Sequence, residues 1–364
     1  VPIQQTTLPQ TEGRTPRQDG FAMPGRWVEH ARTFVSWPCC EWPAAPGHLQ
    51  DARDEWAEAI RTISRFEPVT VIANPGSRDQ VLEACGSSVD VAEIPIDDCW
   101  IRDNGPIFVV GGDGTVAMTH FGFNAWGGKA PSWDNDAAVG RRLSERLGMR
   151  RYAAPIIAEG GGITSDGEGT VITTESVLLN PNRNPGLGKS HIEGVLREYL
   201  GAEKVIWLPY GLAEDSGDAG TDGHSDNVIQ FIRPGLALFQ AAPNRSNPNW
   251  ELAEANRAAL AGQTDAQGRP IEVVEIELLS YTRELEGERR AAPYTNFYPV
   301  NGGIIAPRLD VPEDDVAYRL LADLFPGREV VSVPTDFQAY GGGGIGCITQ
   351  QLPAGPVAAA GDHA

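Results

Sequence analysis

One cysteine stands out for chemistry. Cys347 ends a glycine-rich stretch, Tyr340-Gly341-Gly342-Gly343-Gly344-Ile345-Gly346-Cys347, and leads into Ile348-Thr349. Glycine lets a backbone approach a ligand closely, and an ionised cysteine is a strong nucleophile. The same stretch also fits a small thiol buried beside a turn, because free cysteine is among the most buried residue types. Four other polar stretches carry complementary groups. Asp97–Pro106 holds Trp100 and Asp103. Glu159 opens a run of three glycines. Asp215–Asn227 holds His224 and Asp226, and Tyr294–Tyr298 holds Asn296. Together these offer carboxylates, one imidazole, one amide and one thiol. Such a set suits a planar guanidinium, whose N–H fork pairs with carboxylates. A thiolate can then attack the central carbon. His224 can protonate the departing nitrogen and later activate water, since imidazole titrates near neutrality. Blander readings stand beside this one. Asp103 could pair with Arg102. Asp222, His224 and Asp226 could ligate a metal through O and N donors, giving a metal-dependent hydrolase. A protein that binds amines without turnover is the non-enzymatic alternative.

A repeat is what could bring these stretches together. Strand–helix–strand patterns recur at 69–73/78–85/91–96, 116–121/136–147/154–158, 171–180/189–200/205–208, 236–240/250–260/271–278 and 303–306/313–324/330–333. A short strand at 33–37 and a helix at 51–65 precede them; the helix carries Ala52, Trp56, Ala59, Ile60 and Ile63 at helical spacing. Several first strands end in Ala/Asn-Pro, as at Asn74-Pro75, Asn180-Pro181, Ala242-Pro243 and Ala306-Pro307. The period wanders between about 45 and 70 residues, which disfavours a regular solenoid and favours a closed ring. Each polar stretch follows the second strand of a unit. The pattern therefore predicts a five-bladed α/β propeller with one site on its axis. A doubly wound α/β sheet is the competitor, and no Gly-x-Gly-x-x-Gly follows a first strand to support it. The expected organisation is a loose arm at 1–20, one catalytic domain at 21–353 and a tail at 354–364.

Composition narrows the partners. The chain has 364 residues and a formal net charge of −20. Such a surface repels nucleic acid and anionic membranes and favours cationic small molecules. No apolar run is long enough for a transmembrane helix, and the first twenty residues lack an apolar signal core. Five cysteines without a paired metal spacing fit free thiols in a reducing, cytoplasmic setting. A homo-oligomer is left open.

Several stretches, taken in order, resemble one family. They are Asp98–Pro106, Phe123–Lys129, Glu159–Gly161, Asp166–Thr170, Asn182–Pro185, Gly223–Asn227 and Gly343–Pro353. Together they resemble the agmatine deiminase and bacterial-type peptidyl-arginine deiminase family, from about Met23 to Pro353. The resemblance implies the pentein propeller of guanidine-modifying enzymes, working without metal or cofactor. It implies that Cys347 forms an amidino-thioether with release of ammonia, and that water then frees a ureido product. By matching position, Asp103 and Asp226 hold the guanidinium nitrogens, Glu159 lies in the substrate-binding wall and His224 is the general acid and base. Trp100 is expected to line the pocket and Arg102 to brace its loop. Asn296 is added as a substrate-binding residue on the repeat argument. One departure stands at Gly346. The family pattern is Gly-Gly-Asn-Ile-His-Cys, and a glycine here replaces the histidine before the nucleophile. The expectation is a wider pocket mouth or an altered contact at the substrate's far end. Agmatine is the expected substrate, and arginine within a peptide is the rival.

Overall fold

Apolar spacing dictates the first crossover. Helix Leu49–Ile63 buries Ala52, Trp56, Ala59, Ile60 and Ile63, the positions that the sequence sets at helical intervals. It joins strand His30–Ser36 to strand Val69–Ala73, which pair in parallel; parallel neighbours require such a crossover. The computed structural model describes residues 13–217, 220–277, 280–285 and 287–360. Among the described residues, five such sheets form the blades of a propeller.

Each blade has one plan: a short strand, an antiparallel second strand, a helix, and a third strand parallel to the second. Blade two is Ile107–Gly111, Val116–Gly122, helix Val139–Leu147 and Arg151–Ile157. Blade three is Ile163–Ser165, Thr170–Thr174, helix Lys189–Leu200 and Lys204–Leu208. Blade four is Ile229–Arg233, Leu236–Gln240, helix Trp250–Leu260 and Glu272–Ile276. Blade five is Tyr298–Val300, Gly303–Arg308, helix Pro312–Leu324 and Glu329–Pro334. Blade one closes the ring: Thr349–Pro353 pairs antiparallel with His30–Ser36, with Val69–Ala73 and Asp90–Glu93 beyond it. Sealing an early strand with the last one ties both ends of the chain into a single blade.

The repeat is thus real, but its unit is larger than the sequence pattern suggests. The short first strands are too brief to show alternation, so the unit reads as strand–helix–strand. The first unit is also shifted. Its strands at 69–73 and 91–96 are the outer pair of blade one, joined by the expected helix Arg78–Cys85, and a further crossover helix, Leu49–Ile63, precedes them. Residue 278, expected at the end of a strand, lies outside the described residues.

The ends depart from expectation too. Residues 1–12 and 361–364 lie outside the described residues, but 13–20 and 354–360 are not loose. Tyr152 donates to Asp19 Oδ2 at 2.6 Å, and Thr15 Oγ1 donates to Glu198 at 2.8 Å. Phe21-Ala22 pairs with the edge of blade two. The tail runs along the same blade: Val116 N donates to Pro356 O at 2.7 Å, and Ala358 N to Val116 O at 2.8 Å. These unpaired strand edges offer backbone groups that the terminal segments satisfy. No helix among the described residues is long and apolar enough to cross a membrane.

Candidate active site

The chain passes from each blade to the next through a loop that leads into the short antiparallel strand. Residues 94–106 link blades one and two and carry Trp100 and Asp103. Residues 158–162 carry Glu159, 209–228 carry His224 and Asp226, 277–297 carry Asn296, and 335–348 carry Cys347. The propeller plan therefore brings five distant stretches to one end. All these side chains are buried; His224, Asp226, Glu159 and Asn296 show no exposure, and Cys347 shows 4 %.

His224 sits between two carboxylates. Its Nδ1 is 3.7 Å from Asp103 Oδ1 and its Nε2 is 3.5 Å from Glu159 Oε2. Those are charge-pairing rather than hydrogen-bonding distances. Burial pushes the imidazole pKa down, but Asp103, Glu159 and Asp226 outweigh it and raise it to about 9. His224 is therefore an imidazolium at neutral pH, ready to donate a proton. Asp103 accepts Trp126 Nε1 at 3.0 Å and Gly161 N at 3.1 Å. Burial raises its pKa to about 6, although His224 pulls the other way.

Glu159 is held from behind. Arg183 Nε donates to Glu159 Oε1 at 2.7 Å. Burial would raise the Glu159 pKa, but Arg183 and His224 lower it to about 2. Arg183 then spends its other nitrogens on the 209–228 loop, donating to Asp222 Oδ2 at 2.6 Å and to Thr221 O at 2.8 Å.

The thiol meets groups from two other loops. Cys347 Sγ is 3.4 Å from Asn296 Nδ2 and 3.9 Å from Asp226 Oδ2. Burial, then the charges of Asp226 and Asp103, push the thiol pKa well up. An arriving cation would cancel the last two causes. Asp226 Oδ1 has no protein donor among the described residues, and its Oδ2 is 3.8 Å from an Arg26 nitrogen. A buried carboxylate with a free oxygen, beside a thiol and in the field of an imidazolium, can bind a guanidinium, deliver sulfur to its carbon and protonate the nitrogen that leaves.

The structure brings Cys347, His224, Asp103, Asp226, Glu159 and Asn296 into one cluster, with three differences from expectation. Glu159 contacts Arg183 and His224, so it sets the imidazole's charge instead of forming an open wall. Trp100 does not line an open pocket. It packs 5.7 Å from Trp42 and 5.8 Å from Trp56, centroid to centroid, behind the glycine loop. A Cβ at Gly343 would lie 2.6 Å from its ring and 3.1 Å from Cys347 Sγ, so glycine is what lets the loop pass between them. Gly346 is buried against Asn296 and does not face the mouth. Arg102 links its loop to the nucleophile's: its Nε donates to Gly346 O and its backbone N to Cys347 O, both at 3.1 Å.

The metal reading loses a ligand. Asp222 turns away to Lys129, Asn182 and Arg183, and no group of three His, Cys, Asp or Glu among the described residues could hold a metal ion. Asp218 and Ala219 of that loop lie outside the described residues. Sequence reasoning assigned no role to Trp126, Arg183, Asn227 or Arg26. The first three fall within stretches that carry the family resemblance. Arg26 had no signal, since nothing in the sequence announces that an arginine near the N-terminus is buried at the site.

Comparisons with known proteins agree with this geometry. The family model of Porphyromonas-type peptidyl-arginine deiminase matches residues 22–353. The agmatine deiminase of Pseudomonas aeruginosa strain LESB58 is 41 % identical over 367 residues, covering 93 % of this chain and 97 % of that protein. That of Stutzerimonas stutzeri strain A1501 is 40 % identical with the same coverage. Among solved structures, the agmatine deiminase of Enterococcus faecalis superposes with a TM-score of 0.87 at 33 % identity, over 94 % of this chain and 98 % of that one. A C. jejuni agmatine deiminase with substrate bound has a TM-score of 0.83 at 25 % identity, over 92 % and 97 %. The chain belongs to the Porphyromonas-type peptidyl-arginine deiminase family.

Proposed function

We propose that this chain hydrolyses the guanidinium of agmatine to a ureido group, releasing ammonia. The observation that carries the reading is the convergence of an unfilled buried carboxylate, a thiol and a charged imidazole from different inter-blade loops. Asp226 and Asp103 take the guanidinium N–H groups. The cation lowers the cost of ionising Cys347, the thiol proton passes to solvent as the substrate enters, and Sγ attacks the central carbon. His224 gives its proton to one amino nitrogen, the C–N bond breaks and ammonia leaves, with an amidino-thioether on Cys347. Water then adds to that carbon and returns a proton to His224. The C–S bond breaks, sulfur leaves as thiolate and takes up the product's remaining hydroxyl proton, and the ureido product departs.

Two features support a small dicationic substrate. Cys347 is nearly closed off, which suits a slender chain better than a polypeptide. A cavity of about 30 Å³ adjoining Gly343 is lined by Glu214 and Asp215; Glu214 is the carboxylate suited to a distal ammonium, while burial raises the Asp215 pKa to about 7. Arg290 shares that lining and keeps arginine, free or within a peptide, as the second reading. The five free thiols support a reducing compartment, hence the cytoplasm.

The test is a ureido-product assay on agmatine, free arginine and an arginine peptide, side by side. Agmatine is expected to be turned over fastest, with turnover lost in Cys347→Ala. Rapid turnover of the peptide with negligible turnover of agmatine would overturn the substrate assignment.

A further inference from the structure

Arg26 reaches the site from the opposite end of the ring. Strand His30–Ser36 pairs with Thr349–Pro353 so that Val35 meets Thr349, two residues after the nucleophile, and His30 meets Pro353 at the far end. Arg26 is fastened at that far end. His30 Nε2 donates to Arg26 O at 2.9 Å, and His30 Nδ1 is 2.9 Å from Glu67 Oε1. Asn301 clamps His30 in turn, accepting from its backbone N at 2.9 Å and donating to its O at 2.8 Å. From this anchor the Arg26 side chain runs back through the interior, and its guanidinium comes 3.8 Å from Asp226 Oδ2.

Arg102 is the neighbouring cation there, and its nitrogens are occupied. Nε donates to Gly346 O at 3.1 Å and Nη2 to Gln351 Oε1 at 2.9 Å. Burial, then the charge of Arg26, lowers the Arg102 pKa to about 9. Arg26 is buried as well, but its three guanidinium nitrogens have no hydrogen-bond partner among the described residues. Placing a guanidinium in the interior without hydrogen bonds is costly. Its nitrogens brace no loop, so what it brings is charge. That charge lies behind Asp226. The same oxygen, Oδ2, is 3.9 Å from Cys347 Sγ, whereas Oδ1 is left without a partner among the described residues. The two distances put the guanidinium within about 8 Å of the sulfur, near enough for a buried charge to change its ionisation about tenfold or more.

We propose that Arg26 is a positioning residue: acting through Asp226, it supplies the positive charge against which the Cys347 thiolate forms. The inference rests on the deiminase reading and deepens it. The substrate's own charge offsets Asp226 only while the guanidinium carbon remains cationic. When the amidino-thioether breaks, sulfur leaves as thiolate opposite a neutral ureido group, and Asp226 is still beside it. Arg26 is a fixed charge that offsets the carboxylate at that step without reorganisation. The same charge repels the arriving substrate, so Arg26 costs affinity and raises turnover.

Arg26→Met keeps most of the stem and deletes the charge. Alkylation of Cys347 by iodoacetamide, read by mass spectrometry of its peptide near pH 8, needs no substrate. At that pH Asp103 and Glu159 are ionised, His224 and Arg102 are protonated, and Tyr298, which burial pushes up, is neutral. Arg26 is then the charge that the comparison changes. The rate is expected to fall about tenfold or more in Arg26→Met and to stay within about threefold of the parent in Arg26→Lys. With agmatine, Arg26→Met should show kcat down about tenfold and KM no higher than the parent's, a split that a structural loss alone would not give. Arg26→Gln is the second neutral variant if Arg26→Met fails to fold. An unmoved alkylation rate in a folded neutral variant would overturn the proposal. So would a Lys variant that falls as far as the neutral one, or a raised KM at unchanged kcat. A lowered rate in an enzyme that ignores agmatine supports the charge role and removes only the substrate assignment.

Discussion

Of the protein's own guanidinium groups buried beside the site, Arg183 and Arg26 are treated oppositely. Arg183 is saturated: it donates to Glu159, Asn182, Asp222 and Thr221. Arg26 is 4 % exposed, yet none of its guanidinium nitrogens has a hydrogen-bond acceptor among the described residues; Asp226 stands 3.8 Å away. The difference divides the site into halves. Around Arg183, charge is paired before any ligand arrives, although Glu159 Oε2 has no hydrogen-bond partner among the described residues, and the Glu159 pKa falls to about 2. Around Asp226 they are incomplete, and Cys347 holds its proton. The finished half fixes geometry and the imidazolium. The unfinished half is where one more guanidinium, the substrate's, has something to gain. Preorganised but unsatisfied charge is what differential binding of a reacting cation requires.

The sharpest way to break this comparison is to remove each arginine. Arg183→Met would leave the fully buried Glu159 with His224 as its one charge partner among the described residues, at 3.5 Å, and no hydrogen-bond donor, and would leave Asp222 to Lys129. Stability at pH 7 is expected to fall by about 3–5 kcal/mol, the usual consequence of breaking a buried pair from one side. Arg26→Met removes a buried guanidinium that makes no hydrogen bond. Its stability is expected to stay within about 1 kcal/mol of the parent, or to rise, because the lost desolvation cost offsets the lost pairing with Asp226. Urea unfolding of the two variants is the measurement. Equal losses would show that the halves are not different in kind.

The two halves should also separate in pH. Asp103 must be ionised to accept the substrate, and its pKa is raised to about 6. His224 must be protonated to act as acid, and its pKa is raised to about 9. The expected kcat/KM profile is a bell that falls about tenfold per pH unit below 6 and above 9. Glu159 should add no limb between them. Its folded pKa lies below the unfolded value, so its contribution appears in stability instead. That contribution is present above about pH 4.5 and is lost as pH falls towards 2. His224 has the opposite sign: its contribution is present below about 6.5 and is lost as pH rises through 9. A kcat/KM acid limb near 4 would return Asp103 to an ordinary carboxylate.

How far this was legible follows from the same division. The nucleophile, the imidazole and the carboxylates occupy loops at matching places in a repeat, so position in the repeat found them. The helix Leu49–Ile63 was legible from its spacing, and blade number from the recurrence of strand and helix. The short first strands were not legible, because three to five residues paired within a ring need no alternation. Arg183, Trp126 and Arg26 act through contacts that join different blades. Residues 26 and 226 meet only after the ring closes, and no local pattern encodes that meeting. Gly346 was misplaced for a related reason. Its neighbour Asn296 comes from another loop, so the space it leaves cannot be judged from its own.

The smallest effect tests how far the finished half extends towards the surface. Lys129 ends the strap of residues 124–129, where Ala125 and Trp126 adopt φ values of 52° and 54°. Non-glycine residues in that region hold strain that surrounding contacts must offset. Lys129 Nζ supplies three such contacts, at 2.8 Å to Gly217 O, 2.6 Å to Gly220 O and 2.7 Å to Asp222 Oδ1. It thereby ties Trp126, which donates to Asp103, to the loop that carries His224 and Asp226. Lys129→Met keeps the stem and deletes the donors. Since Arg183 still holds Asp222, the expected result is a KM about three- to tenfold higher with kcat within about twofold, the size of one partly exposed charged hydrogen-bond set. A collapse of kcat instead would mean that the strap positions the reacting groups themselves, and the boundary between the halves would move outward to include it.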